Sequence, residues 1–180
     1  AKLLVSTTSK AEVNVSEDKL FLEIYKKIGE IEKDGKKLPL FYSNGSKDSK
    51  IAKFNIEEVA TLVEGLKVFL EKGAKGFEEF ASKEMGNPNF KDLMFPHGDR
   101  LMGLTVFTGK DGREFIGFAI KEAKEKDKYA VFTSDRKAIR GMITLLENAL
   151  DMMVKNSLTL KNEKKVVVDV EDDIPVDIPS

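Results

Sequence analysis

Residues 101–121 read LMGLTVFTGKDGREFIGFAIK, and this stretch decides the fold. Apolar side chains alternate with other residues on both sides of a central Lys110-Asp111-Gly112-Arg113 sequence. Alternation with a period of two is typical of a half-buried β-strand, and an Asp-Gly pair between two such runs is typical of an antiparallel hairpin. The sequence therefore predicts strands at 101–108 and 113–121, joined by a tight turn.

A third strand and a helix are predicted after this hairpin. A charged loop at 122–127 leads to an apolar and aromatic run at 128–133, which we interpret as the third strand. Thr133 or Ser134 is a suitable N-cap for a helix over about 135–154. One face of that helix carries apolar residues at helical spacing: Ile139, Met142, Ile143, Leu146, Ala149 and Leu150.

The first half of the chain has the same order of elements. Strands are predicted at 20–28, 38–43 and 50–54, with the turn Lys33-Asp34-Gly35-Lys36 between the first two and a polar loop at 44–49. Asn55 and Glu58 form a capping box for a helix that ends near Gly73. Its apolar face lies 80 residues before that of the second helix and comprises Val59, Leu62, Val63, Leu66, Phe69 and Leu70. This similarity indicates a divergent internal repeat.

We therefore expect an α+β fold of two β-meander-plus-helix repeats, with antiparallel sheets packed on helices. The predicted domain covers 1–156, with repeats at about 11–73 and 100–155 and a linker at 74–99. A further strand is expected at 11–15, and a short helix in the linker is expected to end at the Gly-Asn-Pro-Asn sequence of 86–89. Residues 157–180 are predicted to be an extended, acidic C-terminal tail.

Composition argues against several classes of function. The chain of 180 residues has no cysteine and one histidine, which excludes disulfides, thiolate chemistry and histidine-rich metal sites. It contains neither a Gly-x-Ser-x-Gly nucleophile motif nor a Walker phosphate loop. We therefore expect no catalytic residue, no metal and no cofactor. A small-molecule enzyme remains an alternative that would need a polar pocket.

Hydropathy and charge indicate where the protein is located and what kind of ligand it binds. No apolar run approaches the roughly 20 residues of a membrane span, and the N-terminus does not resemble a signal peptide. We expect a cytoplasmic protein, or one in the host cytoplasm if it is viral. The net charge is −1, but five acidic and no basic residues lie among the last twelve, which leaves 30 basic against 26 acidic residues elsewhere. A mildly basic body is typical of polyanion binders.

The open faces of the meanders are the candidate binding surface. An antiparallel sheet packs one face on its helix and leaves the other to solvent. If Leu20, Leu22 and Ile24, and likewise Ile116, Phe118 and Ile120, point inward, aromatic and basic residues point outward. Unpaired bases stack on aromatic rings for roughly 1–3 kcal/mol each, and cations neutralise the phosphates. The predicted nucleic-acid-binding residues are Phe21, Tyr25, Lys27, Phe41, Lys53, Phe107, Arg113, Phe115, Lys121, Lys128 and Phe132. Alternatively, these rings pack against the linker or another subunit.

Two meander-plus-helix units in one chain resemble the superfamily of the Whirly proteins, the purine-rich-element-binding (PUR) proteins and positive cofactor four. Lys19-Leu20-Phe21-Leu22-Glu23-Ile24-Tyr25-Lys26, followed by Ser49-Lys50-Ile51-Ala52-Lys53-Phe54 and the first helix, is similar to one PUR-type repeat. The resemblance covers roughly 11–155. It implies single-stranded DNA binding across the sheet faces of a homo-oligomer, a dimer or tetramer.

The C-terminal tail carries a second resemblance. Asp172-Asp173-Ile174-Pro175 is similar to the Asp-Asp-Ile-Pro-Phe tip of bacterial single-stranded DNA-binding proteins, although this chain continues Val176-Asp177-Ile178-Pro179-Ser180. The resemblance implies that the tail recruits replication or repair proteins.

The expected function is therefore largely sequence-independent binding of single-stranded DNA in replication, recombination or repair, either cellular or viral. Two alternatives without catalysis are a transcriptional regulator that binds single-stranded promoter DNA and an oligomeric interaction protein.

Overall fold

The computed structural model describes residues 1–41, 49–124 and 129–172 of the chain. Within this part, nine strands and two helices form an α+β fold with antiparallel sheets, which confirms the predicted class. The elements are β1 Lys2–Val5, β2 Ser9–Ser16, β3 Lys19–Lys33, β4 Lys36–Phe41, β5 Ser49–Phe54, α1 Ile56–Met85, β6 Leu93–His97, β7 Arg100–Thr108, β8 Glu114–Glu122, β9 Tyr129–Thr133 and α2 Arg136–Asp172.

The first sheet is organised around the long strand β3. Its first half lies between β2 and β5, so that Leu22 pairs with Val13 on one side and with Ala52 on the other. From Lys27 onward β3 pairs with β4. Asp34 and Gly35, which connect these two strands, both have positive φ angles (54° and 77°), as a tight hairpin turn requires. We call residues 27–41, the hairpin that continues beyond the pairing with β2 and β5, the arm.

The second sheet is a four-stranded meander in the order β6-β7-β8-β9. The hairpin predicted at 101–121 is β7 and β8, and Val106 lies opposite Ile116 across it. Strand β6 was not predicted, because its sequence includes Pro96. Proline lacks the N–H group that an inner strand must donate, but it is tolerated here because β6 lies at the edge of the sheet.

Each helix covers the sheet built by the other half of the chain. Helix α1 packs on β6, β7 and β8, whereas α2 packs on β1, β2 and β3, and the two helices also contact each other. The buried side chains form one cluster that includes the predicted core residues Leu20, Leu22, Ile24, Ile116, Phe118 and Ile120, each at most 1% exposed. The inner faces of both sheets therefore share one core, and their other faces, called the open faces, point away from it.

Helix α1 is longer than the predicted helix that ends near Gly73. The capping box is present: Glu58 N–H donates to Asn55 Oδ1 at 2.8 Å, and Asn55 N–H donates to Glu58 Oε1 at 2.9 Å. Gly73 (φ 76°) makes a kink, after which the Glu114 carboxylate accepts the Ala74 N–H at 3.2 Å. The helix then continues to a left-handed cap at Gly86. The linker expected at 74–99 is thus the second half of α1 followed by β6.

Helix α2 also exceeds its prediction. It continues through Asp172, so the extended conformation expected from residue 157 is wrong for 157–172. The sequence contains neither glycine nor proline between Gly141 and Pro175, and therefore no residue in this stretch interrupts the hydrogen bonding of the helix. Neither α1 nor α2, as far as the chain is described, contains an apolar stretch long enough to cross a membrane.

Candidate nucleic-acid interface

The face of the second sheet that points away from the core is built by alternate residues of its four strands. The register brings to this open face Met94 and Pro96 of β6, Leu101, Gly103, Thr105 and Phe107 of β7, Phe115, Gly117, Ala119 and Lys121 of β8, and Ala130 and Phe132 of β9. Lys121 is the one charged residue among these twelve positions. The open face of the second sheet is therefore mainly apolar, and none of its residues would repel a phosphate.

Three phenylalanine side chains meet at one end of this face and form an aromatic cluster. Phe107 and Phe115 are opposite each other on β7 and β8, and their rings are parallel, with centroids 4.7 Å apart and an interplanar angle of 4°. The Phe132 ring is perpendicular to that of Phe107 at 4.8 Å. Phe107 is 43% exposed, so part of the cluster is open to a ligand. The structure brings these three predicted residues together.

Small side chains form the middle of the open face. Gly117 lies opposite Phe132, and a Cβ atom there would come within 2.6 Å of the Phe132 ring. Thr105 and Ala119 also point away from the core but are only 7% and 1% exposed. These middle positions are therefore covered, and the exposed residues described on this face include Phe107, Leu101 and Lys121.

Cationic residues lie at both ends of β8. Arg113 precedes the strand and is exposed, with its Nε atom 3.6 Å from Asp111 Oδ2. Lys121 is exposed near the end of the strand. Eight residues of extended chain separate the two positions by about 26 Å. Lys128, also predicted as a binding residue, lies outside the described residues.

The open face of the first sheet has a different character. Phe21 and Lys53 are opposite each other on β3 and β5, but two carboxylates, those of Glu12 and Glu23, are also opposite each other on β2 and β3. Phe21 is half-buried and Lys53 is exposed. Glu12 is paired with Lys10, whose Nζ atom lies 3.0 Å from Glu12 Oε1, and Glu23 accepts hydrogen bonds from Tyr25 and Ser49. These carboxylates leave Phe21 and Lys53 in more acidic surroundings than the strand positions of the second sheet.

Tyr25 is not available for stacking, which corrects its prediction as a binding residue. It is 4% exposed, and Lys10 Nζ lies 4.8 Å from the centroid of its ring. Its hydroxyl donates to Glu23 Oε1 at 2.8 Å, while Ser49 Oγ donates to Glu23 Oε2 at 2.8 Å. Burial raises the pKa of the Tyr25 phenol above its ordinary value, and the bond to Glu23 and the charge of Glu23 act in the same direction. Tyr25 is part of a buried polar network.

The remaining predicted residues are dispersed. Lys27 is at the base of the arm, and its Nζ atom is 2.6 Å from Glu30 Oε1. The Phe41 side chain lies outside the described part of the chain, as do Asp173, Ile174 and Pro175 of the tail, and Asp172 is the last residue of α2. The eleven predicted binding residues thus do not form one surface.

Lys33 and Lys36 were predicted only as turn residues, without a role in binding. Both are exposed at the tip of the arm. The alternation in residues 29–40 was enough to predict that Lys33 and Lys36 lie in two paired strands. It was not enough to predict that these strands extend beyond the rest of the first sheet.

The single histidine has a structural partner. His97 Nε2 of β6 is 2.8 Å from Glu58 Oε2 at the start of α1. Among the described residues, no group of three or more histidine, aspartate or glutamate side chains is arranged to hold a metal ion.

A search against protein-family models finds no match, and a search of curated proteins finds none either. The geometry of the two open faces is therefore the basis for assigning a function.

Proposed function

We propose that this protein binds single-stranded DNA through the open face of the second sheet. The observation that carries the proposal is the aromatic cluster of Phe107, Phe115 and Phe132, partly exposed on a face whose twelve described strand positions include no carboxylate. An unpaired base extends the existing stack of Phe107 and Phe115, for roughly 1–3 kcal/mol per base.

The charges around the cluster support a single strand as the ligand. Arg113 and Lys121 neutralise phosphates on either side of the stacked bases, with Lys121 at the far end of β8. The bases of a duplex are already stacked on each other, so the rings have no free base surface to bind there. Base-independent stacking and phosphate contacts together give little sequence preference.

The proposal assigns binding to the second sheet and not equally to both. The first sheet carries Glu12, paired with Lys10, and Glu23 on its open face, and Tyr25 is buried there. Phe21 and Lys53 are therefore secondary contacts at most.

The order of strand pairing supports a two-repeat fold of the Whirly and PUR type. Without the arm strand β4, the first half follows β1-β2-β3-β5-α1, and the second half follows β6-β7-β8-β9-α2, with neighbouring strands paired in each. In this correspondence, the turn at Glu17 and Asp18 matches the β7–β8 turn. The Asp34-Gly35 turn, which the predicted repeat placed at the corresponding position, then belongs to an insertion.

We assign the protein to replication, recombination or repair in the cytoplasm, as a homo-oligomer whose acidic C-terminus recruits other proteins. One observation favours a second candidate function, an oligomeric interaction protein. Leu101 on the same open face is 41% exposed beside small residues, and such an apolar surface also suits contact with a second copy.

The test is a fluorescence-anisotropy titration with single- and double-stranded oligonucleotides at several salt concentrations. We expect tighter binding of the single strand, with an affinity that falls as salt rises, because phosphate contacts release counterions. Equal binding of both forms, or no binding together with a concentration-dependent increase in particle size, would favour the oligomeric role.

A further inference from the structure

The arm has two faces of different chemistry. On one face the pairs are Gly29 with Leu40 and Lys33 with Lys36, and Leu38 lies between them on β4. None of these five residues is acidic. The opposite face carries the pair Glu32–Lys37, and Glu30. The alternation of β3 and β4 thus places lysine and leucine side chains on one side and the carboxylates on the other.

The lysine pair at the tip favours an anion. Lys33 and Lys36 are directly opposite across the two strands, and both are exposed. Like charges in directly opposite positions destabilise a sheet. A phosphate bound between the two ammonium groups reverses this repulsion, so the pair is better suited to a polyanion than to an empty hairpin.

The leucine side chains of the same face are also exposed to solvent. Leu38 and Leu40 are 41% and 39% exposed. A two-stranded hairpin is only marginally stable in water, so it gains from a ligand that covers its apolar side chains. Sugars and base edges of a nucleic acid provide that cover next to the phosphates, whereas an acidic protein segment provides mainly charge.

The base of the arm contacts the second sheet on its core side, near the Lys121 end of β8. Lys26 Nζ, just before the arm, lies 4.3 Å from the centroid of the Tyr129 ring. Tyr129 pairs with Ile120, the neighbour of Lys121. Tyr129 and Ile120 point toward the core, on the side opposite Lys121, so a strand of DNA that leaves the open face at the Lys121 end passes around the edge of the second sheet to reach the arm.

We propose that the arm is a second contact of the same nucleic-acid site. A single strand stacked on the aromatic cluster continues past Lys121, lies along Leu38 and Leu40, and places a phosphate between Lys33 and Lys36. This inference rests on the proposed function. It predicts that only oligonucleotides long enough to reach the arm use it.

The experiment compares oligothymidines of about 6 and about 20 nucleotides, lengths at the lower and beyond the upper end of a single-domain site. Lys33→Gln with Lys36→Gln is expected to weaken binding of the longer strand about tenfold and to reduce its salt slope by about 1.4, since two phosphate contacts are lost. Binding of the shorter strand is expected to stay unchanged. The matched control is Glu32→Gln with Lys37→Gln, which alters the opposite face without changing net charge.

The outcomes distinguish failure of the proposed arm contact from failure of the proposed open-face site. An equal loss on both lengths, or no loss on the longer strand, overturns the role of the arm. Leu38→Ser with Leu40→Ser is expected to weaken binding of the longer strand; unchanged affinity with a smaller sedimenting particle would assign the arm to a second copy of the chain. If Phe107→Ala with Phe115→Ala leaves binding intact while the lysine variant loses it, the proposed function of the open face fails, and the shared site fails with it although the arm binds the strand.

Discussion

The ring of Phe107 on β7 is parallel to the ring of Phe115 on β8, with a centroid distance of 4.7 Å. Such a pair contributes about 0.5–1.5 kcal/mol beyond the burial of its area. The two rings therefore orient each other before any ligand arrives. A preformed stack loses little side-chain entropy when a base is added to it.

The first prediction concerns this stack. Phe107→Ala with Phe115→Ala should weaken single-stranded DNA binding at least tenfold, because the loss of stacking surface costs about 1–3 kcal/mol per base. Fluorescence anisotropy measures this loss. Phe90→Ala is the control, since Phe90 is 52% exposed in the segment between α1 and β6. Equal effects of the two changes would exclude the cluster as the binding site.

The second prediction concerns Gly117. A Cβ atom at this position would lie 2.0 Å from the Val131 carbonyl oxygen and 2.6 Å from the Phe132 ring. Gly117→Ala should therefore destabilise the protein by about 1–3 kcal/mol, as overpacking generally does, and displace Phe132. Thermal or urea unfolding gives the change in the free energy of unfolding.

Gly141 provides the opposite case. It lies in α2, and a Cβ atom there meets nothing within 4 Å. Gly141→Ala should stabilise the protein by about 0.5–1 kcal/mol, because alanine has the higher helix propensity. A lower midpoint of unfolding for this variant would contradict the packing described for α2.

The third prediction is a pH dependence due to Tyr25. Its pKa is raised in the folded protein, so the folded state keeps the phenol proton that the unfolded state releases above about pH 10. The corresponding stability is complete below that pH and is lost as pH rises further. Tyr25→Phe should reduce this alkaline loss. In a spectrophotometric titration, Tyr25 should ionise above the ordinary range of a tyrosine, and the loss of that step in the variant identifies it.

The fourth prediction concerns the ion pairs that join the two sheets. Glu122 Oε1 lies 2.9 Å from both Lys50 Nζ and Arg100 Nη2, and the Lys50 and Glu122 side chains are 15% and 17% exposed. Glu122→Ala leaves these two cations without their shared partner and should cost about 1–3 kcal/mol of unfolding free energy.

The exposed pair between the helices is the control for this measurement. Lys67 Nζ and Glu147 Oε2 are 3.2 Å apart, and both side chains are nearly half exposed. Glu147→Ala should cost less than about 1 kcal/mol, because solvent screens such pairs. If Glu122→Ala is equally mild in urea unfolding, the contact between the sheets does not depend on Glu122.

Local patterns predicted much of the second sheet and part of the first. Alternation in β7 and β8 correctly assigned Ile116 and Phe118 to the core and Phe107 and Phe115 to the open face. The capping box at Asn55 was likewise predicted from two residues three positions apart. These features depend on neighbours along the chain, so the sequence contains them directly.

The burial of Tyr25 could not be predicted from local alternation. Alternation placed it outward, but Lys10 covers its ring and Glu23 and Ser49 fix its surroundings. Lys10 and Ser49 come from β2 and β5, which are brought to β3 only by sheet pairing.

The sequence by itself determined the α+β class, the alternation that separates core from open residues in each meander, and the rings of the aromatic cluster. Only the tertiary structure decided that each helix covers the other half's sheet, that Glu12 meets Glu23 on one open face, and that the arm stands apart from the first sheet. The reason is physical: alternation specifies which side a residue faces, whereas the charges and rings beside it come from strands distant in sequence, and their register is fixed by packing of the whole core.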